Sequence, residues 1–310
     1  MNKIILIGNG DVGSSYSFAL VAQGLGNEVG IIDLDEGKVT GDVLDLKHGL
    51  AFVGPKKIYQ ATYNDCSDAD IVVITAGAAQ NPNETRMDLI KGNAKVMNQI
   101  VTRVMGSGFT GIYLIATNPV DILTYYVRKL TGLPSSKVIG TGTSLDTARL
   151  RNAIGDKIEV DPRDVQVYVI GEHGDTQLPV WSHANIGGLH LAEWRANHPE
   201  LTVEKLETLA LEVKNTAYNI IEAKGSTHYG VAIALSRITK AILEDENAVL
   251  PVTVHLSGEY GYTDVCVGST AIINREGIKE IIELPLDEKE KKLMKISITT
   301  LKEMQNKLPY

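Results

Sequence analysis

The feature that most constrains the fold is a glycine-rich turn that directly follows a short apolar run. Lys3–Ile7 has the composition of a buried strand, and Gly8–Gly13 follows it and opens a helical pattern. Gly8 permits a tight turn, and Gly13 lets the helix pack closely on the strand. Gly10 lets a pyrophosphate approach the backbone, where the helix start offers N–H groups to it. This first unit therefore predicts a dinucleotide site.

The first half of the chain alternates short apolar runs with helical patterns. Most runs are continuously apolar, which is typical of parallel strands buried on both faces. The alternation predicts a doubly wound parallel (Rossmann) sheet whose ligand binds beyond the carboxyl ends of the strands. The expected strands are Lys3–Ile7, Glu28–Ile32, Lys57–Ala61, Ile71–Thr75 and Gly111–Ala116, and the expected helices are Val12–Gly24, Glu36–Leu50 and Met87–Met105.

The second half combines long helices with closely spaced strands, which should pair antiparallel. We predict an NAD-binding domain at residues 1–140 and an α+β substrate-binding catalytic domain at residues 141–310. The expected helices are Ser144–Ile154, Thr202–Lys224, Tyr229–Glu244 and a terminal helix from Asp287 to Lys307. The expected strands are Val138–Gly140, Gln166–Ile170, Val252–Leu256, Val265–Ile273 and Lys279–Leu284.

Composition argues against several classes of protein. The formal net charge of −8 is opposite in sign to that of a nucleic-acid-binding surface. Cys66 and Cys266 are too few for a disulfide framework or a cysteine metal site, and we expect no metal. The first apolar run is too short for a signal peptide, and no segment reaches the roughly 18 apolar residues of a membrane span. We expect a soluble, cytoplasmic protein without a nucleic-acid or membrane partner.

An acidic residue defines the type of dinucleotide. Asp33 ends the second predicted strand, 20 residues after Gly13. A carboxylate there binds ribose hydroxyls and repels a 2′-phosphate, so we predict NAD rather than NADP. The other candidates for the cofactor site are Val12, Lys38, Tyr63, Gly77, Ala78, Ala116, Thr117 and Asn118, of which Lys38 and Tyr63 read as surface residues on composition alone. The Asn118 amide suits the nicotinamide ribose or the substrate. The alternative for an Asn before Pro is a turn or helix-start residue, and the two roles are compatible.

A histidine and a helix supply the groups for one reaction. His173 lies between glycines in Gly171–Asp175, a loop after a predicted strand, where catalytic groups collect. Asp146 and Arg149 are three residues apart and share a helix face. The alternative to a catalytic role for this pair is a simple salt bridge within the helix. His173 can pass a proton, Asp146 can orient the imidazole, and Arg149 can bind a carboxylate through two hydrogen bonds. Together with a dinucleotide, these groups indicate hydride transfer on a small carboxylic acid.

The polar segment Ala78–Arg86 follows the fourth predicted strand and is predicted to be a loop. Such a loop can close over a site and exclude water. Arg86, near its end, could then polarise a carbonyl group; a solvated arginine is the alternative.

The motifs resemble, in order and spacing, the L-lactate/malate dehydrogenase family, and its bacterial lactate branch most closely. The resemblance covers essentially the whole chain and implies NAD-dependent interconversion of pyruvate and L-lactate by a homotetramer. The segments that carry it are Gly8–Gly13, Gln80–Arg86, Asn118–Asp121, Asp146–Arg149, Gly171–Asp175 and Lys224–Gly230.

The resemblance also implies a role for individual residues. His173 is the proton donor and acceptor, and Asp146 supports it. Arg149 binds the substrate carboxylate, and Arg86 arrives with the closing loop. Thr227 lines the pocket for the substrate side chain, where the sequence alone indicates a helix cap or turn.

Gln80 separates the two substrate classes of the family. Malate enzymes carry an arginine at the matching position, which pairs with the second carboxylate of oxaloacetate, and lactate enzymes carry a glutamine. A carboxylate buried against a neutral amide remains uncompensated, which predicts a preference for pyruvate of about 10³ or more. The alternatives are an L-2-hydroxyacid dehydrogenase for larger 2-oxo acids, then a malate dehydrogenase, and a non-catalytic dinucleotide-binding protein.

One departure from the family pattern concerns regulation. Many bacterial members are activated by fructose 1,6-bisphosphate, which an arginine and a histidine hold between subunits. Arg151 matches that arginine, but Gln166 stands in place of the histidine. Because a glutamine brings no positive charge to a bisphosphate, we predict weak or absent activation.

Overall fold

The computed structural model describes residues 2–77 and 86–309, apart from the side chains of residues 86–88. The strands are β1 Lys3–Ile7, β2 Glu28–Ile32, β3 Lys57–Gln60, β4 Ile71–Ile74, β5 Ile112–Ile115, β6 Val138–Gly140, β7 Val165–Gln166, β8 Val169–Ile170, β9 Leu178–Pro179, β10 Asn185–Ile186, β11 Leu189–His190, β12 Ala248–Ser257, β13 Thr263–Asn274 and β14 Gly277–Ile281. The helices are α1 Asp11–Ala22, α2 Glu36–His48, α3 Arg86–Gly106, α4 Val120–Thr131, α5 Ser144–Ile158, α6 Leu191–Asn197, α7 Val203–Lys224, α8 Tyr229–Leu243 and α9 Glu288–Gln305.

The main sheet has the strand order β14-β13-β12-β6-β5-β4-β1-β2-β3. Strands β1 to β6 are parallel, and the order reverses between β1 and β4. The predicted doubly wound parallel sheet is therefore confirmed, and its β1, β4 and β5 strands are fully buried, as their apolar composition requires. The glycine-rich turn follows β1, so it lies at the switch point where such sheets bind ligands.

The antiparallel strands of the second half extend the same sheet. β12 pairs with β13, and Thr253 of β12 lies opposite Gly140 of β6. A Cβ at residue 140 would lie 2.7 Å from the Thr253 Cβ, so a glycine is needed for this approach. The sequence predicts antiparallel pairing but does not indicate that it continues the parallel sheet. The junction brings Thr253 close to the start of α4.

Several elements differ from the prediction. The short strands β9, β10 and β11 and the short helix α6 are absent from it. Helix α4 was not predicted from the sequence, because its residues include many β-branched and aromatic side chains of low helix propensity. In the structure, burial of Val120–Val127 stabilises the helix despite that low propensity. The single strand predicted at Gln166–Ile170 is wrong, because it is divided into β7 and β8, which pair with different partners, β10 and β9. At the break, the Val167 carbonyl accepts a hydrogen bond from Arg151 Nε at 3.1 Å.

Candidate active site

A buried acid holds the candidate catalytic histidine. His173 lies in the loop between β8 and β9, and Asp146 lies in the first turn of α5. His173 Nδ1 is 2.6 Å from Asp146 Oδ2. The Asp146 side chain is 4% exposed and that of His173 is 26% exposed, so the acid is shielded while the ring can be reached. A carboxylate only accepts, so Nδ1 donates and Nε2 is the nitrogen that can exchange a proton with a substrate.

The same contact sets the charge of the pair. Burial by itself lowers the pKa of His173, but the charge and hydrogen bond of Asp146, together with the charge of Asp121, raise it to about 9. Burial raises the pKa of Asp146, but the charge and hydrogen bond of His173 and the charge of Arg149 outweigh burial and lower it. At neutral pH the pair is therefore an imidazolium beside a carboxylate.

Arg149 lies beside this pair. Its Nη1 is 3.4 Å from Asp146 Oδ1, and its Nη2 is 3.4 Å from Thr227 Oγ1 in the turn between α7 and α8. Both contacts are long for charge-assisted hydrogen bonds, so the planar fork of the guanidinium keeps its capacity to bind a carboxylate. The structure thus brings His173, Asp146, Arg149 and Thr227 into one site.

The glycine-rich turn has one open face. Gly8 has a φ of +105°, and a Cβ there would lie 2.3 Å from the Ala76 nitrogen. A Cβ at Gly13 would lie 2.0 Å from the Gly8 oxygen, so chain packing requires both glycines. A Cβ at Gly10 would meet no heavy atom of the described residues within 4 Å. Gly10 therefore leaves open space at the N-terminus of α1, where an anionic pyrophosphate fits; Val12 is partly buried in the helix behind it.

An acidic edge borders this turn. Asp33 accepts the Asn9 N–H at 2.5 Å and the Asp35 N–H at 3.0 Å. Asp42 accepts from Asn9 Nδ2 at 2.7 Å and from Lys38 Nζ at 2.6 Å. The structure therefore links Lys38 to the turn through Asp42, a residue that the sequence analysis missed. A 2′-phosphate here would meet carboxylates and a lysine that is already paired.

The residues after β4 and β5 are held side by side. A Cβ at Gly77 would lie 2.4 Å from Thr117 Cγ2, and Thr117 Oγ1 donates to the Ala76 carbonyl at 2.7 Å. The buried Asn93 of α3 donates its side-chain amide to the Asn118 carbonyl at 2.8 Å. Asn93 is also missed by the sequence analysis, because a polar residue on an amphipathic helix carries no local signal of such a contact. Ala116 directly follows β5 and is partly buried.

Several predicted residues are not placed in the site by these contacts. Ala78 and Gln80 lie outside the described residues. Arg86 is the first residue of α3, and its side chain also lies outside them. Tyr63 begins a short 3-10 turn after β3, and its ring centre is 5.3 Å from the guanidinium carbon of Arg103 on α3.

The turn that carries Thr227 is joined to the glycine-rich segment. His228 Nδ1 is 2.8 Å from Ser15 Oγ on α1, and Ser226 Oγ donates to Asp11 Oδ2 at 2.5 Å. These contacts join residues more than 200 positions apart, which is why no local pattern shows them. They place the proposed substrate pocket beside the proposed cofactor site.

Known proteins share this architecture. Residues 2–140 match the lactate/malate dehydrogenase NAD binding domain, and residues 143–308 match the lactate/malate dehydrogenase alpha/beta C-terminal domain. L-lactate dehydrogenase 1 of Enterococcus faecalis is 57% identical over 97% of this chain and 92% of its own length. L-lactate dehydrogenase of Lacticaseibacillus casei is 53% identical over 97% of this chain and 93% of its own. The ligands-bound crystal structure of minor L-lactate dehydrogenase from Enterococcus mundtii superposes with a TM-score of 0.97 at 44% identity, covering 99% of this chain and 98% of that one. The chain therefore belongs to the lactate/malate dehydrogenase family.

Proposed function

We propose that the protein catalyses the NAD-dependent interconversion of pyruvate and L-lactate. The observation that carries the proposal is the 2.6 Å contact between His173 Nδ1 and Asp146 Oδ2, with Arg149 one helical turn away. A proton donor and a carboxylate clamp are the two groups that reduction of a 2-oxo acid needs. In this proposal residues 1–140 bind the cofactor and residues 141–310 form the substrate-binding catalytic domain.

NAD suits the open face at Gly10 and the acidic edge at Asp33. Gly8, Gly10 and Gly13 would hold its pyrophosphate against the N-terminus of α1. When bound, the reduced nicotinamide supplies the hydride. The remaining residues that we assign to this site are Val12, Lys38, Tyr63, Gly77, Ala78, Ala116, Thr117 and Asn118.

Each catalytic side chain has a separate role in the proposed reaction. Arg149 binds the carboxylate of pyruvate through two parallel hydrogen bonds and so orients the keto group. Protonated His173 donates the Nε2 proton to the keto oxygen while Asp146 stabilises the imidazolium. Arg86 stabilises the negative charge that develops on that oxygen, and Gln80, Asn118 and Thr227 complete the substrate pocket. In lactate oxidation neutral His173 takes the proton back from the hydroxyl.

The oxidation of NADH by the purified protein tests the proposal. Pyruvate, oxaloacetate and 2-oxoisocaproate are compared side by side, and we expect fast turnover of pyruvate only. Preference for 2-oxoisocaproate would keep the mechanism and replace the substrate. NADH binding without turnover of any of the three acids would instead indicate a dinucleotide-binding protein without this activity.

Substitution of Arg149 by lysine is expected to raise the KM for pyruvate more than it lowers kcat. A lysine keeps the positive charge but loses the fork that binds both carboxylate oxygens. Loss of one charge-assisted hydrogen bond, worth about 1.5–3 kcal/mol, corresponds to a roughly 10- to 100-fold rise in KM. Steady-state kinetics with varied pyruvate measure it. Arg163→Lys is the matched control, because Arg163 pairs with Asp161 on the surface and is 89% exposed; an unchanged KM in Arg149→Lys would contradict the role.

Fructose 1,6-bisphosphate is expected to lower the apparent KM for pyruvate only weakly or not at all. Arg151 is engaged with the Val167 carbonyl and lies over the Tyr168 ring, and Gln166 donates to the Arg163 carbonyl at 2.7 Å. A titration of the bisphosphate at fixed low pyruvate measures the effect. A sharp rise in rate would show that activation does not depend on a histidine at position 166.

The proposal also covers the oligomeric state of the protein. We infer a homotetramer, and large apolar side chains exposed on the neighbouring helices α1 and α8, such as Phe18, Tyr229 and Ile233, suit subunit contacts. Sedimentation should give four times the chain mass.

Among the helices of the described residues, none is long and apolar enough to cross a membrane. Both cysteines are buried and free, which agrees with the cytoplasmic location that we propose.

A further inference from the structure

Asp42 joins two parts of the cofactor edge through a single oxygen atom. It lies in the middle of α2, and its Oδ2 accepts hydrogen bonds from Asn9 Nδ2 at 2.7 Å and from Lys38 Nζ at 2.6 Å. Asn9 belongs to the glycine-rich turn, and its backbone N–H donates to Asp33 Oδ2. A continuous chain of hydrogen bonds therefore runs from Asp33 through Asn9 and Asp42 to Lys38.

The two ends of this chain differ in their access to solvent. Asn9 is buried, so its side chain holds the Asp42 carboxylate against the glycine-rich turn. The side chains of Lys38 and Asp42 are 41% and 34% exposed. Because a lysine carries its charge on a long flexible stem, Lys38 could reach an anion bound nearby. In the structure its charge is instead paired with Asp42, one helical turn further along α2.

A phosphate on the 2′-hydroxyl of the adenosine ribose would bring about two negative charges to this edge. Asp33 directly follows β2, and Asp35 caps α2, where its side chain accepts the Lys38 N–H at 2.9 Å. The Asp35 contact occupies one of the N–H groups that attract a phosphate to a helix N-terminus. The phosphate would therefore meet the carboxylates of Asp33, Asp35 and Asp42, and a lysine whose charge is already neutralised.

We propose that Asp42 is a second residue that selects NAD over NADP, because it neutralises the lysine that would otherwise bind the 2′-phosphate. Asp33 rejects that phosphate directly, by repulsion and by binding the ribose hydroxyls. Asp42 acts through Lys38 and removes a favourable contact from the wrong cofactor. This inference rests on the proposed cofactor site at Gly10 and Asp33.

Fluorescence titrations with NADH and NADPH test the proposal without turnover. Asp42→Asn keeps an oxygen that can accept from Asn9 and Lys38, but it removes the negative charge. The lysine charge can then pair with the 2′-phosphate, so the ratio of the Kd for NADPH to the Kd for NADH should fall about fivefold, as expected for one half-exposed ion pair. Effects on the shared pyrophosphate cancel in this ratio. The fall should be smaller at high salt, which screens exposed charges.

Asp45→Asn is the matched control. Asp45 lies on the same helix, three residues after Asp42, and is exposed, so its substitution changes the net charge equally without releasing Lys38. This variant should leave the ratio of the two Kd values unchanged. The double variant Asp42→Asn/Lys38→Met removes the released lysine and should lose the gain for NADPH. Thermal unfolding scans check that each variant is folded.

The outcomes separate this inference from the proposed activity. An unchanged ratio in Asp42→Asn, an equal fall in Asp45→Asn, or a fall that persists in the double variant would overturn the role of Asp42. A wild type that binds NADH but does not reduce pyruvate would remove the proposed activity, and the ratio would still decide the role of Asp42. A wild type that binds neither cofactor would overturn both.

Discussion

Replacement of His173 by alanine is expected to lower kcat for pyruvate reduction by about 10²–10⁴, the usual contribution of general acid catalysis. The ring is the group that can deliver a proton to the keto oxygen, and its hydrogen bond to Asp146 holds Nε2 available for that transfer. NADH binding should persist, because the glycine-rich turn and Asp33 lie on other elements. Steady-state kinetics and fluorescence titration with NADH measure the two effects separately.

The control for this variant is His190→Ala. His190 is exposed at the end of β11, and its removal should leave kcat unchanged. A thermal unfolding scan of both variants checks that the fold survives. Turnover of His173→Ala at the wild-type rate would remove the histidine from the mechanism.

The dependence on pH should follow from the raised pKa of His173. Pyruvate reduction uses the protonated ring, so kcat/KM should fall as the pH rises through about 9. Lactate oxidation uses the neutral ring and should rise over the same range. The free energy of unfolding should also decrease at alkaline pH. Because folding raises the pKa of His173 from 6.5 to about 9, the stabilisation by its protonated ring is complete below pH 6.5 and is lost as the pH rises through about 9. Activity profiles and unfolding temperatures between neutral and alkaline pH measure these changes.

Substitution of Gln80 by arginine is expected to shift the preference from pyruvate towards oxaloacetate by about 10³, measured as the ratio of kcat/KM values. Oxaloacetate carries a second carboxylate, which a neutral amide leaves uncompensated and a guanidinium can bind through two hydrogen bonds. Pyruvate has a methyl group instead, and it would leave the new charge unpaired. The two substrates are assayed with the same NADH stock and the same enzyme preparation.

Gln80→Met separates charge from size in this experiment. Methionine is close to glutamine in length but brings neither a charge nor a hydrogen-bond donor, so oxaloacetate should gain nothing from it. Gln80 lies outside the described residues, and the prediction therefore rests on the sequence and the family. If Gln80→Arg left the ratio where it is in the wild type, another residue would have to set the substrate class.

Local patterns in the sequence predicted much of the fold. Contacts with neighbouring backbone require glycines at positions 8 and 13. The spacing of these glycines in the sequence therefore predicts the turn between β1 and α1. The terminal helix expected from Asp287 is present, and the side chains of Asp287 and Glu290 cap its start with reciprocal hydrogen bonds. Helix α4 could not be predicted in this way, because its stability comes from burial of β-branched and aromatic side chains rather than from local propensity.

The sequence by itself determined which chemical groups are available: an acid and an arginine on one helix face, and a histidine in a glycine-flanked loop. Only the tertiary structure decided which of them meet. Asp146 and His173 are 27 residues apart, Arg149 and Thr227 are 78 apart, and Asp121 reaches Thr253 across 132 residues. The physical reason is that a local pattern of apolar residues predicts where a helix or strand lies and which of its faces is buried, but not which other element that face packs against. Contacts between distant side chains depend on how those elements pack, and Asp121 has no local signal because its partners come from β12 and the His173 loop.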